Sequence, residues 1–132
     1  MSEPLFHLHG VSFAYGDRQV LSGLDFTLEP GERVALLGGN GVGKSTLLHL
    51  LVGLHLPHAG TLAAFGKDRR AEDDFFEVRT KAGLLFQDPD DQLFCPSVLE
   101  DVAFGPLNLG KSRHEAVEIA EKTLAELELE DF

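Results

Sequence analysis

The sequence predicts an α/β fold with a parallel sheet, and three observations support this prediction. Strand-like and helix-like segments alternate through the middle of the 132-residue chain. A short apolar run at 33–37 is bounded by glycines, as buried parallel strands often are. A leucine-rich segment at 44–53 contains no helix breaker and ends on glycine, which is typical of a helix. The length suits a single domain with its own core.

The N-terminal region predicts two strands. Partial alternation of apolar residues indicates a strand at 5–15, and Gly16-Asp17 is a turn signal. A looser alternation at 20–28 indicates a second strand, which Pro30-Gly31 ends. The chain then enters the apolar run at 33–37.

The region after the leucine-rich helix predicts further alternation of strand and helix. The segments are a strand at 60–65, a helix at 72–81, a buried strand at 83–86, a loop at 87–97 and a short helix at 98–104. The clearest helix of the chain is predicted at 113–129, where Ser112 and Glu115 form a capping box. Its apolar stripe is made by Val117, Ala120, Leu124 and Leu127.

Charge and composition limit the possible partners. The net charge of −11 disfavours nucleic acid. The acidity is uneven, because residues 1–66 hold five acids and three bases, whereas residues 67–132 hold seventeen acids and eight bases. Cys95 is the single cysteine, which excludes an internal disulfide. No signal peptide or membrane span is predicted, and the six histidines have no metal-ligand spacing.

The segment Gly38 to Ser45 reads GGNGVGKS, a full match to the phosphate-binding pattern G-x-x-x-x-G-K-[ST]. An apolar run leads into it and a predicted helix follows, as the pattern requires. Glycines at 38, 41 and 43 allow the backbone to wrap a phosphate with its N–H groups turned inward. The start of the helix adds free N–H groups and the positive end of its dipole.

The side chains that follow the glycines complete the predicted site. Lys44 is a point charge for the outer phosphates, Ser45 offers a hydroxyl to Mg²⁺, and Thr46 offers another near the inner phosphates. A dinucleotide fold is disfavoured, because no acidic residue stands about twenty positions downstream. The motif alone does not choose between kinase, GTPase and ATPase.

Further segments resemble ATP-binding subunits of ABC transporters. They are SFAYG at 12–16, GLHLPHAGTLAAFG at 53–66 and FQDPDDQLFCPSVLEDVAFGPLNLG at 86–110. The last is similar to the corresponding stretch of cobalt/nickel and energy-coupling-factor importers, and the resemblance covers essentially the whole chain. It implies an ABC-type P-loop NTPase core with an N-terminal antiparallel β subdomain, with the C-terminal half of the domain missing. It also implies ATP and Mg²⁺ as cofactors.

The resemblance assigns roles to individual residues. Tyr15 is expected to stack on the adenine, with Val20 beside the same base, and Gln87 to reach Mg²⁺ or the attacking water. Lys44 and Gln87 are the expected catalytic residues, and Ser45 and Gln87 the expected metal ligands. The expected nucleotide-binding set is Tyr15, Val20, Gly38, Asn40, Gly41, Val42, Gly43, Lys44, Ser45 and Thr46.

The resemblance also divides the chain and implies partners. The expected parts are β-subdomain strands at 1–31, the P-loop core at 32–86, the Q-loop and coupling segment at 87–110, and the start of a helical subdomain at 111–132. Residues 88–104 would face a membrane-embedded transporter subunit. A second ATPase subunit is the other expected partner, and the cytoplasmic face of the membrane the expected location.

One departure from the family limits what these 132 residues are expected to do. They contain no LSGGQ-type signature, no apolar strand ending in Asp-Glu and no downstream switch histidine. We therefore expect a truncated domain that cannot by itself hydrolyse ATP at a useful rate. Two alternatives stay open here, namely a non-hydrolysing nucleotide-binding fragment and a soluble ABC protein outside transport.

Overall fold

The computed structural model describes residues 2–132, which form two compact units. The first unit extends to Leu84, and the second comprises Leu85–Phe132. The elements of the first unit are β1 (Phe6–Tyr15), β2 (Arg18–Leu28), α1 (Lys44–Leu51), β3 (Ala59–Ala64), β4 (Lys67–Asp68), a 3₁₀ turn (Glu72–Asp74) and α2 (Phe75–Lys81). The second unit contains a 3₁₀ turn (Pro89–Asp91), α3 (Val98–Asn108) and α4 (Arg113–Glu126).

The sheet of the first unit is antiparallel, with strand order β2-β1-β3-β4. Strand β1 is central, because Phe6 pairs with Leu28 of β2 on one side and with Ala64 of β3 on the other. At the far end of the β1–β2 hairpin, Tyr15 pairs with Arg18. The hairpin therefore confirms both predicted N-terminal strands and places these two residues side by side.

The core of the first unit lies between the sheet and helices α1 and α2. Its buried residues are Phe6, Leu8, Val11, Phe13, Leu21, Leu47, Leu50, Leu51, Leu62, Ala64, Phe75 and Val78. The leucines of α1 supply three of these residues. A helix of only eight residues is not stable by itself, so burial of this face stabilises α1. Phe75, the first residue of α2, is fully buried among them.

The prediction of buried strands at 33–37 and 83–86 is wrong for the described residues 2–132. Neither segment forms a strand, and the side chains of Leu37 and Leu85 are 90% and 86% exposed. A strand needs a neighbouring strand to accept its backbone hydrogen bonds. Neither segment is paired in this way in the described chain, so the parallel sheet expected from them does not form there.

The other predicted elements agree with the structure within a few residues, with two exceptions. Helix α3 continues through Pro106 to Asn108, whereas the prediction ended at 104. Proline costs the helix one hydrogen bond so near its end, and the turn still closes because Leu109 N–H donates to the carbonyl of Gly105 at 3.1 Å. The short strand β4 was not predicted, since two residues are too few for a periodic signal.

A buried arginine just after β4 joins the end of β3 to the 3₁₀ turn and to α2. Arg69 is 5% exposed, and its guanidinium donates to the carbonyl of Ala64 at 3.2 and 3.0 Å and to that of Asp74 at 2.8 Å. It also donates to Glu77 Oε2 at 3.1 Å. Hydrogen bonds from Lys81, Lys67 and Arg69, in that order of importance, lower the pKa of Glu77 to about 2.

The second unit is a pair of helices packed through small side chains. Ala103 of α3 is buried with Ala116 and Ala120 of α4. The predicted capping box is confirmed, because Ser112 Oγ accepts from Glu115 N–H and Glu115 Oε2 accepts from Ser112 N–H, both at 3.2 Å. In residues 2–132 no helix is long and apolar enough to cross a lipid bilayer.

Candidate nucleotide-binding site

The glycine-rich segment 38–45 leads directly into the N-terminus of α1. Gly43 is the N-cap residue and adopts φ +106°, and no side chain caps the helix. The first hydrogen bond of the helix joins Leu47 N–H to the carbonyl of Gly43 at 3.0 Å, so the three preceding N–H groups have no partner within the helix. The first turn carries no acidic residue. This combination favours the binding of an anion.

Gly43 also lets the loop pack closely on the β1–β2 hairpin. A Cβ atom at this position would lie 2.9 Å from both Val20 Cγ1 and Leu21 Cδ2. Val20 is an extra residue in β2, since the flanking Gln19 and Leu21 pair with consecutive residues of β1. The bulge brings Val20 against the loop, which is where a residue beside the nucleotide was expected.

Lys44 reaches back over the loop. Its Nζ donates to the carbonyl of Gly38 and, at 3.3 Å, to that of Gly39. The ammonium group therefore lies above the same loop whose glycines are expected to surround a phosphate. The side chain of Val42 lies beside Gly38, because a Cβ there would meet Val42 Cγ2 at 2.8 Å.

The two hydroxyl groups that follow Lys44 differ in their surroundings. Ser45 is exposed, and so are the loop residues Gly38, Asn40, Gly41 and Val42. Thr46 is buried, and its Oγ1 lies 3.2 Å from the hydroxyl oxygen of Tyr15. Ser45 is thus open to a ligand, whereas Thr46 joins helix α1 to the hairpin.

Tyr15 lies at the end of β1 and is 45% exposed. Its hydroxyl group also lies 3.2 Å from Nε2 of His55, a contact that the sequence did not predict. The rings of Phe13 and His55 stand nearly perpendicular to the Tyr15 ring, at 86° in both cases. Both neighbouring rings thus pack against the Tyr15 ring in a T-shaped arrangement, and the side chain stays partly open to solvent.

Three histidines lie near this end of the hairpin. The rings of His55 and His58 each lie 4.9 Å from that of Phe13, and His49 lies 5.4 Å from His55. Burial lowers the pKa of His49, and the nearby His55 lowers it further. Within residues 2–132, no group of three or more His, Cys, Asp or Glu side chains could hold a metal ion.

Gln87 belongs to the second unit and is exposed. The loop that follows it is ordered by side-chain contacts. Gln92 Oε1 accepts from Phe86 N–H at 2.9 Å. Asp101 Oδ1 accepts from the N–H groups of Phe94 and Cys95 at 3.3 and 3.1 Å. Burial raises the pKa of Asp101, but the bonds from the backbone and side chain of Cys95 and from Phe94 N–H together lower it below its ordinary value.

The segment 88–104 presents apolar side chains despite its acidic residues. Leu93 and Phe94 are 59% and 64% exposed. The Phe94 ring contacts the Phe104 ring edge to face at 4.7 Å. The segment is therefore an ordered surface with aromatic groups, and not a uniformly polar loop.

One contact of the P-loop was missed in the sequence. Arg18 Nη2 donates to the carbonyl of Gly41 at 3.5 Å. The signal was available, because Arg18 follows the Gly16-Asp17 turn and must therefore lie near Tyr15 once the hairpin forms. The first unit thus brings together Tyr15, Val20, Thr46 and the glycine-rich loop.

Comparisons with known proteins agree with these motifs. The family model described as "ABC transporter" matches residues 21–132. The nickel import ATP-binding protein NikO of Rhodobacter capsulatus is 52% identical over 111 residues, which are 80% of this chain and 44% of that protein. The energy-coupling factor transporter ATP-binding protein EcfA of Methanothermobacter thermautotrophicus is 41% identical over 130 residues, 97% of this chain and 42% of that protein.

A solved structure of an ABC transporter component is also similar to this chain. It is cbiO1 from Clostridium perfringens, described as part of the ABC transporter complex cbiONQ, with a TM-score of 0.78 and 32% identity. The match covers 94% of this chain and 50% of that one. The chain spans about half the length of the curated relatives that it matches. It belongs to the ABC transporter family and has the fold of the N-terminal part of an ABC ATPase, with its antiparallel sheet.

Proposed function

We propose that the chain carries the ATP-binding part of a subunit that couples ATP hydrolysis to import through an ABC transporter of the cobalt/nickel or energy-coupling-factor type. One observation is central to the proposal. The glycine-rich loop meets an uncapped helix N-terminus beside Tyr15, which is hydrogen-bonded to Thr46 of the same helix. The names of NikO and EcfA favour this class of transporter.

In this proposal the first unit binds ATP through its base and its phosphates. The ring of Tyr15 provides a platform for the adenine, with Val20 nearby. The backbone N–H groups of 41–46 surround the phosphates, and Lys44 exchanges its carbonyl partners for phosphate oxygens. The contact between Tyr15 and Thr46 holds the platform at a fixed position relative to the helix.

Mg²⁺ would neutralise charge on the outer phosphates when ATP is bound. The exposed hydroxyl of Ser45 in the first turn of α1 suits one ligand position, and the phosphates themselves supply others. Gln87 is proposed as a further ligand or as the group that orients the water. Residues 1–132 contain no Walker B carboxylate, so we expect binding without steady-state hydrolysis from this chain alone.

The second unit is proposed to contact the membrane subunit. Leu93 and Phe94 are exposed apolar groups within 88–104, held in place by the hydrogen bonds to Asp101. Such a surface suits a complementary apolar helix. The proposal therefore places the protein on the cytoplasmic face of the membrane, with a second ATPase subunit completing the site.

Titration of fluorescently labelled ATP with Mg²⁺ tests the nucleotide site. Lys44→Ala removes at least one charge-assisted phosphate contact, worth about 1.5–3 kcal/mol, so we expect affinity to fall about 10- to 150-fold. Lys122→Ala is the matched control, because Lys122 is an exposed residue of α4 whose ion-pair contact with Glu126 is long, at 4.0 Å. Equal affinities of the Lys44→Ala variant and the unaltered chain would contradict the proposed site.

A further inference from the structure

Arg18 lies at the hairpin end that faces the glycine-rich loop. It is the first residue of β2 and pairs directly with Tyr15 of β1. Its Nη2 donates to the carbonyl of Gly41, in the middle of the loop, at 3.5 Å. A Cβ atom on Gly41 would also lie 3.5 Å from this nitrogen. The guanidinium therefore touches the loop on the side from which the hairpin approaches.

The hairpin contacts the loop and its helix at three successive places. Arg18 touches Gly41, Val20 lies against Gly43, and Tyr15 bonds to Thr46. The part of the hairpin beyond the adenine platform thus runs along the phosphate-binding segment. Arg18 therefore lies beside the loop that is proposed to surround the phosphates. Its cross-strand neighbour Tyr15 is the proposed platform for the base.

Arg18 is exposed, and its guanidinium donates a hydrogen bond to an uncharged carbonyl group. Within residues 2–132 it forms no ion pair with a carboxylate, whereas Arg69 and Arg70 pair with Glu77 and Asp68. The guanidinium has five N–H donors, of which one is directed to Gly41. In a chain of net charge −11, an exposed and unpaired cation at this loop is suited to an anionic ligand.

We propose that Arg18 is a nucleotide-binding residue whose guanidinium contacts the phosphate chain of bound ATP. This inference rests on the proposed ATP-binding function. A planar guanidinium binds phosphate oxygens with two parallel hydrogen bonds, which adds direction as well as charge. Arg18 would thus join Lys44 as a second cation, approaching the phosphates from the hairpin instead of from the helix.

The variant Arg18→Gln removes the charge of Arg18. Glutamine is also too short to reach the carbonyl of Gly41, so the binding of adenosine is measured beside that of ATP to detect any loss of support for the loop. We expect the affinity for labelled ATP to fall about tenfold, with a weaker dependence of affinity on salt. Competition by adenosine, which has no phosphate, should be unchanged. Arg70→Gln is the control, because Arg70 is an exposed arginine paired with Asp68 and should leave ATP affinity unaltered.

The possible results separate the alternatives. An Arg18→Gln variant that binds ATP as the unaltered chain does would overturn the proposal. Equal losses for ATP and adenosine would also overturn it, because they indicate a purely structural role. The fluorescence of Tyr15 shows whether the variant is folded, and Arg18→Lys, which keeps the charge, should recover part of the affinity. If the unaltered chain bound no ATP, the proposed function would fail and this inference with it.

Discussion

Gly53 follows the C-terminal end of α1 at a position where a side chain has no room. It adopts φ +77°, and a Cβ atom there would lie 2.3 Å from Cγ and 2.6 Å from Cβ of Phe75. Phe75 is fully buried, so its ring cannot move aside without disturbing the core. Replacement of Gly53 by alanine therefore combines a strained backbone with a steric overlap.

The two contributions can be estimated separately. An alanine held in the left-handed region costs about 1–2 kcal/mol. Insertion of a methyl group into a packed core costs about 1–3 kcal/mol. The backbone cannot shift freely, because Arg79 donates to the carbonyls of Val52 and Gly53 at 2.9 and 3.0 Å. We therefore expect Gly53→Ala to lower the free energy of unfolding of the first unit by about 2–5 kcal/mol.

Urea unfolding followed by tyrosine fluorescence measures this change in the first unit alone. Tyr15 is the only tyrosine, and the chain has no tryptophan. Gly23→Ala is the matched control, because Gly23 has φ +62° but no atom lies within 4 Å of the place that an added methyl group would take. The Gly23→Ala variant should lower the free energy of unfolding only by the backbone contribution, about 1–2 kcal/mol. If Gly53→Ala destabilised the unit no more than Gly23→Ala, the argument from overlap with Phe75 would be wrong.

Two further predictions concern Glu77 with its three basic partners and the exposed apolar groups of the segment 88–104. Because the folded pKa of Glu77 is about 2 against an ordinary value of 4.5, its ionised form stabilises the fold above pH 4.5, and this stabilisation is lost as the pH falls towards 2. Glu77→Gln should therefore unfold at lower urea than the unaltered chain at pH 7, with a difference that shrinks across this range; a constant difference would contradict the assignment. Phe94→Asp should abolish co-purification with the membrane subunit and leave ATP affinity unchanged; normal assembly would show that the exposed Phe94 makes no such contact and would favour a role outside transport.

Local signals in the sequence predicted the local parts of the fold. The Ser112 and Glu115 capping box and the turn at Gly16-Asp17 depend on neighbouring residues only, and both agree with the structure. The position of the glycine-rich loop before α1 follows from the same kind of pattern.

Parts that depend on distant partners could not be predicted in this way. The apolar runs at 33–37 and 83–86 indicate a tendency to be buried, but a pattern does not say which strand will lie beside them. Arg69 was missed because nothing local distinguishes a buried arginine from an exposed one. Only the positions of Ala64 and Glu77 in the folded unit explain it. The roles of the candidate site residues, Gln87 among them, stay predictions.

The central place of β1 has a consequence for the order in which the first unit folds. Its partner on one side, β2, is the next element of the chain, whereas Phe6 meets Ala64 of β3 only after the intervening segment has closed. Closing that segment costs more chain entropy than forming a hairpin, so pairing of β1 with β2 should come first. Because the glycine-rich loop lies inside the later-closing segment, we expect it to settle against a hairpin that already presents Tyr15 and Arg18. Strand β3 lies very close to β1 at Gly60, where a Cβ would be 2.4 Å from the carbonyl oxygen of Gly10. Substitutions at Gly60 should then alter the unfolding rate more than the folding rate.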